Sequence, residues 1–317
     1  MRSVSVVIPV YRAQATLREL HDQLIGTMAE LASTFEVIFV EDCGGDESWS
    51  IITELAAADD RVRGIRMSRN YGQHNALLCG IRAARYDVIV TLDDDFQHPL
   101  SEIEPLLAAL TPDIDVVYGA PAKEHHGILR DAASRLTKFA LASAMGAESA
   151  RNVSAFRAFR TRLREGFQDY RSPTVSIDVL LTWTTSRFAV IKVKHAAREV
   201  GVSGYSTRRL VRYAIDLMTG FSTLPLQISS FIGFGLVLFG VGILVLVIVN
   251  FMINGSAVPG FAFLASIIAI FSGAQLFALG IMGEYLARMH FRTMDRPVYL
   301  VSETVTGEGV DGQKLTA

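Results

Sequence analysis

The stretch VIVTLDDDFQHP, residues 88–99, decides the fold. It opens with an unbroken run of apolar and β-branched residues, Val88, Ile89, Val90, Thr91 and Leu92. It then stops on three consecutive carboxylates, Asp93, Asp94 and Asp95. A short run that is apolar at every position reads as a strand covered on both faces. In extended chain the residues at i, i+2 and i+4 point to one side. Asp93, Asp95 and Gln97 are therefore expected as three oxygen donors on that side. Hard cations such as Mg2+ or Mn2+ take oxygen ligands and often share them with substrate phosphates. These three residues are the candidate metal ligands, and a metal there would hold a diphosphate.

Working outward, the same grammar repeats. Strand patterns are expected at residues 4–10, 35–40, 62–67, 88–92 and 116–118. Helical spacing is expected between them at 16–31, 48–58, 73–84 and 101–110, the first with Leu17, Leu20, Leu24, Met28 and Leu31 on one face. Strand and helix in alternation imply an α/β fold with a mostly parallel sheet and helices on both faces. Ligands of such sheets bind beyond the carboxyl ends of the strands. A second acidic strand end, Glu41 and Asp42, leads into Gly44, Gly45 and Asp46. Asp42 is a candidate acceptor for a base or ribose. Farther on, strands are expected at 156–159 and 188–193 and a helix at 178–183.

Charge divides the chain. Residues 1–122 carry nine basic and nineteen acidic side chains, whereas residues 123–216 carry seventeen and eight. Residues 217–283 carry no Asp, Glu, Lys, Arg or His. Within that block, residues 228–251 and 261–283 are each long enough to cross a hydrocarbon core of about 30 Å. Residues 206–221 have the pattern of a helix lying in the membrane interface. Arg208, Arg209 and Arg212 precede the apolar pair, and Arg288, Arg292 and Arg296 follow it, so the positive-inside rule puts both flanks in the cytoplasm. Gly233, Gly235, Gly240 and Gly242 are expected to let the two helices approach closely.

The expected organisation is a cytoplasmic domain over 1–204, a juxtamembrane amphipathic helix over 205–226, a transmembrane hairpin over 227–284 and a cytoplasmic tail over 285–317. The expected localisation is that of a multi-pass protein of the inner (plasma) membrane with both termini cytoplasmic. The amino-terminal apolar run breaks at Pro9 and reads as a buried strand rather than a signal peptide. Cys43 and Cys79 are too few for a disulfide framework, and Cys43 reads as a small buried thiol. His125 and His126 read as a solvated loop.

Four ordered motifs carry a family resemblance: SVVIPVY at 5–11, VED at 40–42, SRNYGQ at 68–73 and DDDFQ at 93–97. With HAAREVGVSGYS at 195–206 and the apolar hairpin, they resemble the family 2, GT-A-fold glycosyltransferases. The branch is the one that acts on polyisoprenyl phosphates, and the carboxyl-terminal half looks most like the 4-formamido-arabinose-type transferases. The resemblance implies an inverting transfer of one sugar from a nucleotide diphosphate sugar to a polyprenyl phosphate. It implies that Pro9, Tyr11 and Asp42, with Asp93, Asp94 and Asp95, hold the nucleotide sugar. It implies that Asp93, Asp95 and Gln97 hold a metal, and that Arg198, Ser203 and Tyr205 lie by the phosphates. Arg157 and Arg198 are expected to stabilise the diphosphate or position the lipid phosphate, and with Asp93 and Asp95 they form the expected catalytic set.

The motifs also depart from the family pattern. Arg12-Ala13 stands where the family usually has Asn-Glu, so a nucleotide-contacting acid is missing; Gly204 replaces a lysine, Pro121 replaces an arginine, and Ala155 stands where the family often has an aspartate base. Expected partners are the nucleotide sugar, the polyprenyl phosphate and the bilayer, with no nucleic acid; the resemblance further admits a homotetramer and a flippase partner. Two other functions stay open on sequence alone. One is a family 2 transferase acting on a polysaccharide or glycolipid. The other is a catalytically silent membrane scaffold.

Overall fold

The structure, a computed structural model, describes residues 2–121, 153–172, 174–194, 218–254, 260–294, 297–307 and 309–311. Strands β1 (Arg2–Val10), β2 (Ala32–Glu41), β3 (Val62–Met67) and β4 (Val88–Thr91) alternate with helices α1 (Leu17–Leu31), α2 (Ser48–Ala58) and α3 (Gln73–Ala83). Helix α4 (Ile103–Ala109) leads to β5 (Val116–Pro121). Then come β6 (Arg157–Arg160), α5 (Ile177–Thr184) and β7 (Phe188–Val193). Two long helices come next, α6 (Leu224–Asn254) and α7 (Phe261–Thr293), and two strands close the chain, β8 (Val301–Thr306) and β9 (Gly309–Asp311).

Among the described residues the sheet runs β7-β5-β6-β4-β1-β2-β3-β8-β9. Strands β4, β1, β2 and β3 are mutually parallel, β6 is antiparallel to both β4 and β5, and β8 is antiparallel to β3. The alternation of strand side chains explains the two layers of core. Val4, Val6, Ile8 and Val10 of β1 pack on one side with Leu17, Leu24, Ile52 and Leu106 of α1, α2 and α4. Val7 of β1 packs on the other with Leu77, Ile81 and Leu180 of α3 and α5. Burial on both faces is why these strands read as continuous apolar runs.

The carboxyl ends of β1, β2, β3 and β4 fall on one edge of the sheet, which gathers Tyr11, Asp42, Ser68 and Asp93 there.

The apolar block forms α6, of 31 residues, and α7, of 33 residues. Both are long and apolar enough to cross a membrane, and neither apolar window is buried inside the protein. Of the four glycines in α6 expected to allow close packing, Gly240 does so. A Cβ there would lie 3.1 Å from the Phe271 ring, whereas nothing lies within 4 Å of one at Gly233, Gly235 or Gly242. The hairpin meets the sheet domain through polar and aromatic contacts. Arg288 donates to Thr174 Oγ1 at 3.2 Å, and Phe221 packs on Tyr170 and Trp183. The juxtamembrane helix expected at 205–226 lies mostly outside the described residues.

The segment expected as a tail past the hairpin is part of the sheet. Strand β8 adds to the free edge of β3 with Arg66 opposite Glu303, and it buries Val301 and Val305. Its alternation is short, and it becomes a strand because β3 offers unpaired backbone groups.

Candidate active site

Asp42 comes directly after β2 and is 3% exposed. Its two carboxylate oxygens accept the backbone N–H groups of Tyr71 and Gly72 at 2.7 and 2.8 Å. Gly72 has φ 93°, a left-handed conformation in which a side chain is strained. Asp42 therefore holds the turn that starts α3. Burial raises its pKa to about 6, against the lowering effect of the two N–H donors, with Glu41 adding a further rise. Both oxygens are thus engaged by the protein's own backbone.

The first side chain of α3 completes a connection between the two acidic strand ends. Gln73 Nε2 donates to Asp93 Oδ1 at 2.7 Å. Asp94 Oδ2 accepts the Tyr11 N–H at 3.4 Å. Burial first, and then its neighbours Asp93 and Asp95, push the Asp94 pKa up to about 7. Asp95 Oδ1 accepts the Gln97 N–H at 3.2 Å. The expectation of a continuous extended segment is corrected here: β4 ends at Thr91, and Phe96 between Asp95 and Gln97 has φ 56°. The chain turns, and the strict i, i+2, i+4 alignment ends with it.

Tyr11 is 47% exposed at the same edge, with the Arg12 guanidinium 5.3 Å over its ring. Pro9 is buried inside β1 opposite Val40, so its contribution is to the shape of the strand end. Cys43, expected as a buried thiol, is exposed and left-handed at φ 53°. It stands in a turn that bulges off the edge of the sheet.

Arg157 departs most from expectation. It is 1% exposed, and its guanidinium is spent on internal partners. It donates from Nε to Thr91 Oγ1 at 3.1 Å and forms an ion pair with Asp178. Asp178 also accepts the Tyr118 hydroxyl at 3.0 Å, and Ile177 N–H donates to His74 Nδ1 at 3.4 Å. Burial holds His74 neutral, with a pKa near 4, despite Asp178 nearby. Burial likewise drives the Tyr118 pKa well upward, and Asp178 reinforces it. The result is a buried polar network beneath the strand ends, so Arg157 is a structural cation in this arrangement rather than an open phosphate ligand. The reason is electrostatic, because a buried Asp178 requires a paired cation.

A family model for glycosyl transferase family 2 matches residues 5–168, the span that runs from within β1 past β6 and takes in both acidic strand ends. Over 99% of its length the chain is 33% identical to an undecaprenyl-phosphate 4-deoxy-4-formamido-L-arabinose transferase of Shewanella sediminis, covering 96% of that protein. The chain belongs to glycosyl transferase family 2. It is also 32% identical to the Yersinia pestis protein of the same name, over 99% of this chain and 97% of that one. Among solved structures, glucosyl-3-phosphoglycerate synthase from Mycobacterium tuberculosis, in complex with Mn2+, UDP-glucose and phosphoglyceric acid, aligns with a TM-score of 0.49. The identity is 17%, covering 69% of this chain and 78% of that one.

This family 2 chain is a glycosyltransferase built on a mostly parallel sheet with helices on both faces. Among the described residues no three His, Cys, Asp or Glu side chains converge as a metal cage. The donor set at the β4 end nonetheless fits a divalent cation of the Mg2+ or Mn2+ kind. Asp93 and Asp95 are half-buried carboxylates two residues apart, and such ions take one or two carboxylates with substrate phosphates completing the shell. Arg198, Ser203, Tyr205 and the pair His125 and His126 lie outside the described residues.

Sequence reasoning placed Gln73 inside a motif without giving it a role, and it missed Asp178 and His74. The signal for Gln73 was its place at the first position of a helix after a strand end. For Asp178 there was none, since its partners are Arg157 and Tyr118, distant in sequence.

Proposed function

We propose that this family 2 glycosyltransferase moves one sugar from a nucleotide diphosphate sugar onto a polyprenyl phosphate, with inversion, at the cytoplasmic face of the inner membrane. The observation that carries the reading is the presence in one chain of a carboxylate-rich strand edge and two apolar helices that no core buries. The full-length likeness to undecaprenyl-phosphate sugar transferases supports the acceptor class and a 4-formamido-arabinose-type donor.

The residues account for the chemistry. An acceptor phosphate oxygen attacks the anomeric carbon, the bond from that carbon to the diphosphate oxygen breaks, and its electron pair leaves with the nucleoside diphosphate. A phosphate monoester has its second pKa near 6 and is largely ionised at pH 7, so Ala155 in place of a base is compatible with the reaction. Asp93 and Asp95, with Gln97, would hold Mg2+ or Mn2+, and the ion would supply positive charge to offset that of the departing diphosphate. Tyr11 and Asp94 border the donor, and Asp42 shapes its floor through Tyr71 and Gly72. By the family resemblance, Arg198, Ser203 and Tyr205 are the residues that would serve the phosphates.

The membrane topology rests on sheet pairing. The chain enters the hairpin after β7 and returns as β8 onto β3 of the same sheet, which supports a reading with both hairpin ends on one side. The arginines at both flanks support the cytoplasm as that side.

The test is to incubate membranes containing the protein with a panel of nucleotide sugars and undecaprenyl phosphate, then identify the lipid product by mass spectrometry. A mild-acid-labile, phosphate-linked monosaccharide lipid is expected. Sugar found only in polysaccharide or glycolipid would overturn the acceptor assignment, and no product with donor binding also absent would favour a silent scaffold.

A further inference from the structure

The turn after β2 is held in a conformation that needs explanation. Cys43 and Gly45 are left-handed, at φ 53° and 75°, and Arg12, which touches this turn from the loop after β1, is left-handed at φ 57°. Non-glycine residues stay in that region only where their surroundings over-determine them. Two contacts do so at Gly44. Its N–H donates to Glu41 Oε1 at 2.6 Å, and its carbonyl accepts Arg12 Nε at 3.1 Å. Arg12 adjoins Tyr11, whose N–H reaches Asp94. The turn and the β4 aspartates thus share one hydrogen-bonded frame.

Glu41 is 2% exposed, and the guanidinium of Arg66 on β3 lies beside its second carboxylate oxygen, which has no hydrogen-bond partner of its own among the described residues. Arg66 Nε lies 3.4 Å from Glu41 Oε2, and a buried carboxylate needs such a counter-charge. Arg66 is in turn held from beyond the hairpin. Its Nη1 donates to Glu303 Oε1 at 3.1 Å, while the other Glu303 oxygen accepts Trp49 Nε1 at 3.0 Å. Trp49 also lies under the Arg66 guanidinium, 5.8 Å from ring centroid to carbon. One planar fork therefore spans two carboxylates, a geometry open to arginine and closed to lysine.

We propose that Arg66 and Glu303 are positioning residues for the donor, acting through Glu41 on the Cys43–Gly44–Gly45 turn. By this route the strand that returns from the membrane hairpin sets the shape of the nucleotide-sugar edge. A chain that has not placed β8 on the sheet has an unbraced Arg66 and a loose donor turn. The inference rests on the nucleotide-sugar reading of the strand edge, and one ligand-free and one ligand-dependent measurement separate the two.

The first test needs no ligand. Hydrogen–deuterium exchange of the full-length protein in lipid nanodiscs should show the peptide covering residues 41–48 exchanging about threefold faster in Glu303→Gln and Arg66→Lys. That is the scale expected for a half-exposed ion pair. The second uses the donor that the wild type turns over in the panel. Both variants should raise its KM about threefold while kcat holds within about twofold. Thr306→Ala, at the far end of the same strand from the Arg66–Glu303 pair, should leave both readouts at wild-type values. A strand that merely covers the sheet edge would instead lower the melting temperature, with KM and exchange at 41–48 unchanged, and that result would overturn the proposal. Faster exchange without any donor turnover in the wild type would uphold the coupling and reject the donor reading.

Discussion

Gln73 Nε2 donates to Asp93 Oδ1 at 2.7 Å, so the first residue of α3 orients the first carboxylate after β4. One residue earlier, the Gly72 N–H is held by Asp42. The acidic ends of β2 and β4 are thus joined through a three-residue turn, and Asp42 bears on the reaction through geometry.

Gln73→Ala should free Asp93 to rotate without removing its charge. Partners of this kind cost roughly tenfold or more in activity when lost. The expected outcome is a drop of about that size in kcat with an unchanged melting temperature. Wild-type turnover in Gln73→Ala would show that Asp93 needs no such support.

Asp95→Asn should abolish transfer of radiolabelled sugar into the organic phase. Chelation of the wild type should do the same, with recovery on adding Mg2+ or Mn2+. Activity that persists in both cases would remove the metal from Asp93, Asp95 and Gln97.

Asp42 carries a pH signature. Its folded pKa is raised to about 6 from 3.8, so the folded state binds more protons between those values than the unfolded chain does. Its contribution to stability is complete below about pH 4 and is lost as pH rises through about 6. Asn does not titrate, so the melting temperature of the wild type should fall relative to Asp42→Asn from pH 4 to 6. Parallel melting curves across that window would contradict the burial argument.

Arg157→Ala should unfold the protein more readily rather than slow it selectively. Removing one partner of a buried ion pair costs about 3–5 kcal/mol, because Asp178 is left charged and unpaired. Urea unfolding should show that loss, and the apolar replacement Arg157→Met with Asp178→Leu should recover most of it. Full stability in Arg157→Ala with a selective rise in acceptor KM would return Arg157 to the phosphate site.

Much of the fold was legible in the chain. The strands at β1 to β5 and helices α1 to α4 declare themselves because side-chain alternation and helical spacing are local properties. That Asp42, Asp93, Asp94 and Asp95 share one edge was legible because a βα repeat places the residues after each strand there. Phe96 escaped, since a left-handed residue outside glycine leaves no mark in composition. Strand β8 escaped as well, because its partner β3 lies on the far side of the hairpin.

By itself, then, the sequence determined the α/β order, the acidic edge of the sheet and the apolar helices, all of them carried by neighbours in the chain. Tertiary structure decided which side chains remain open for ligands. Asp42 is taken by backbone 29 residues away, Arg157 by Asp178, and Arg66 by Glu303 across 237 residues. A buried polar group must find a partner wherever the fold brings one, and no local pattern encodes where that is.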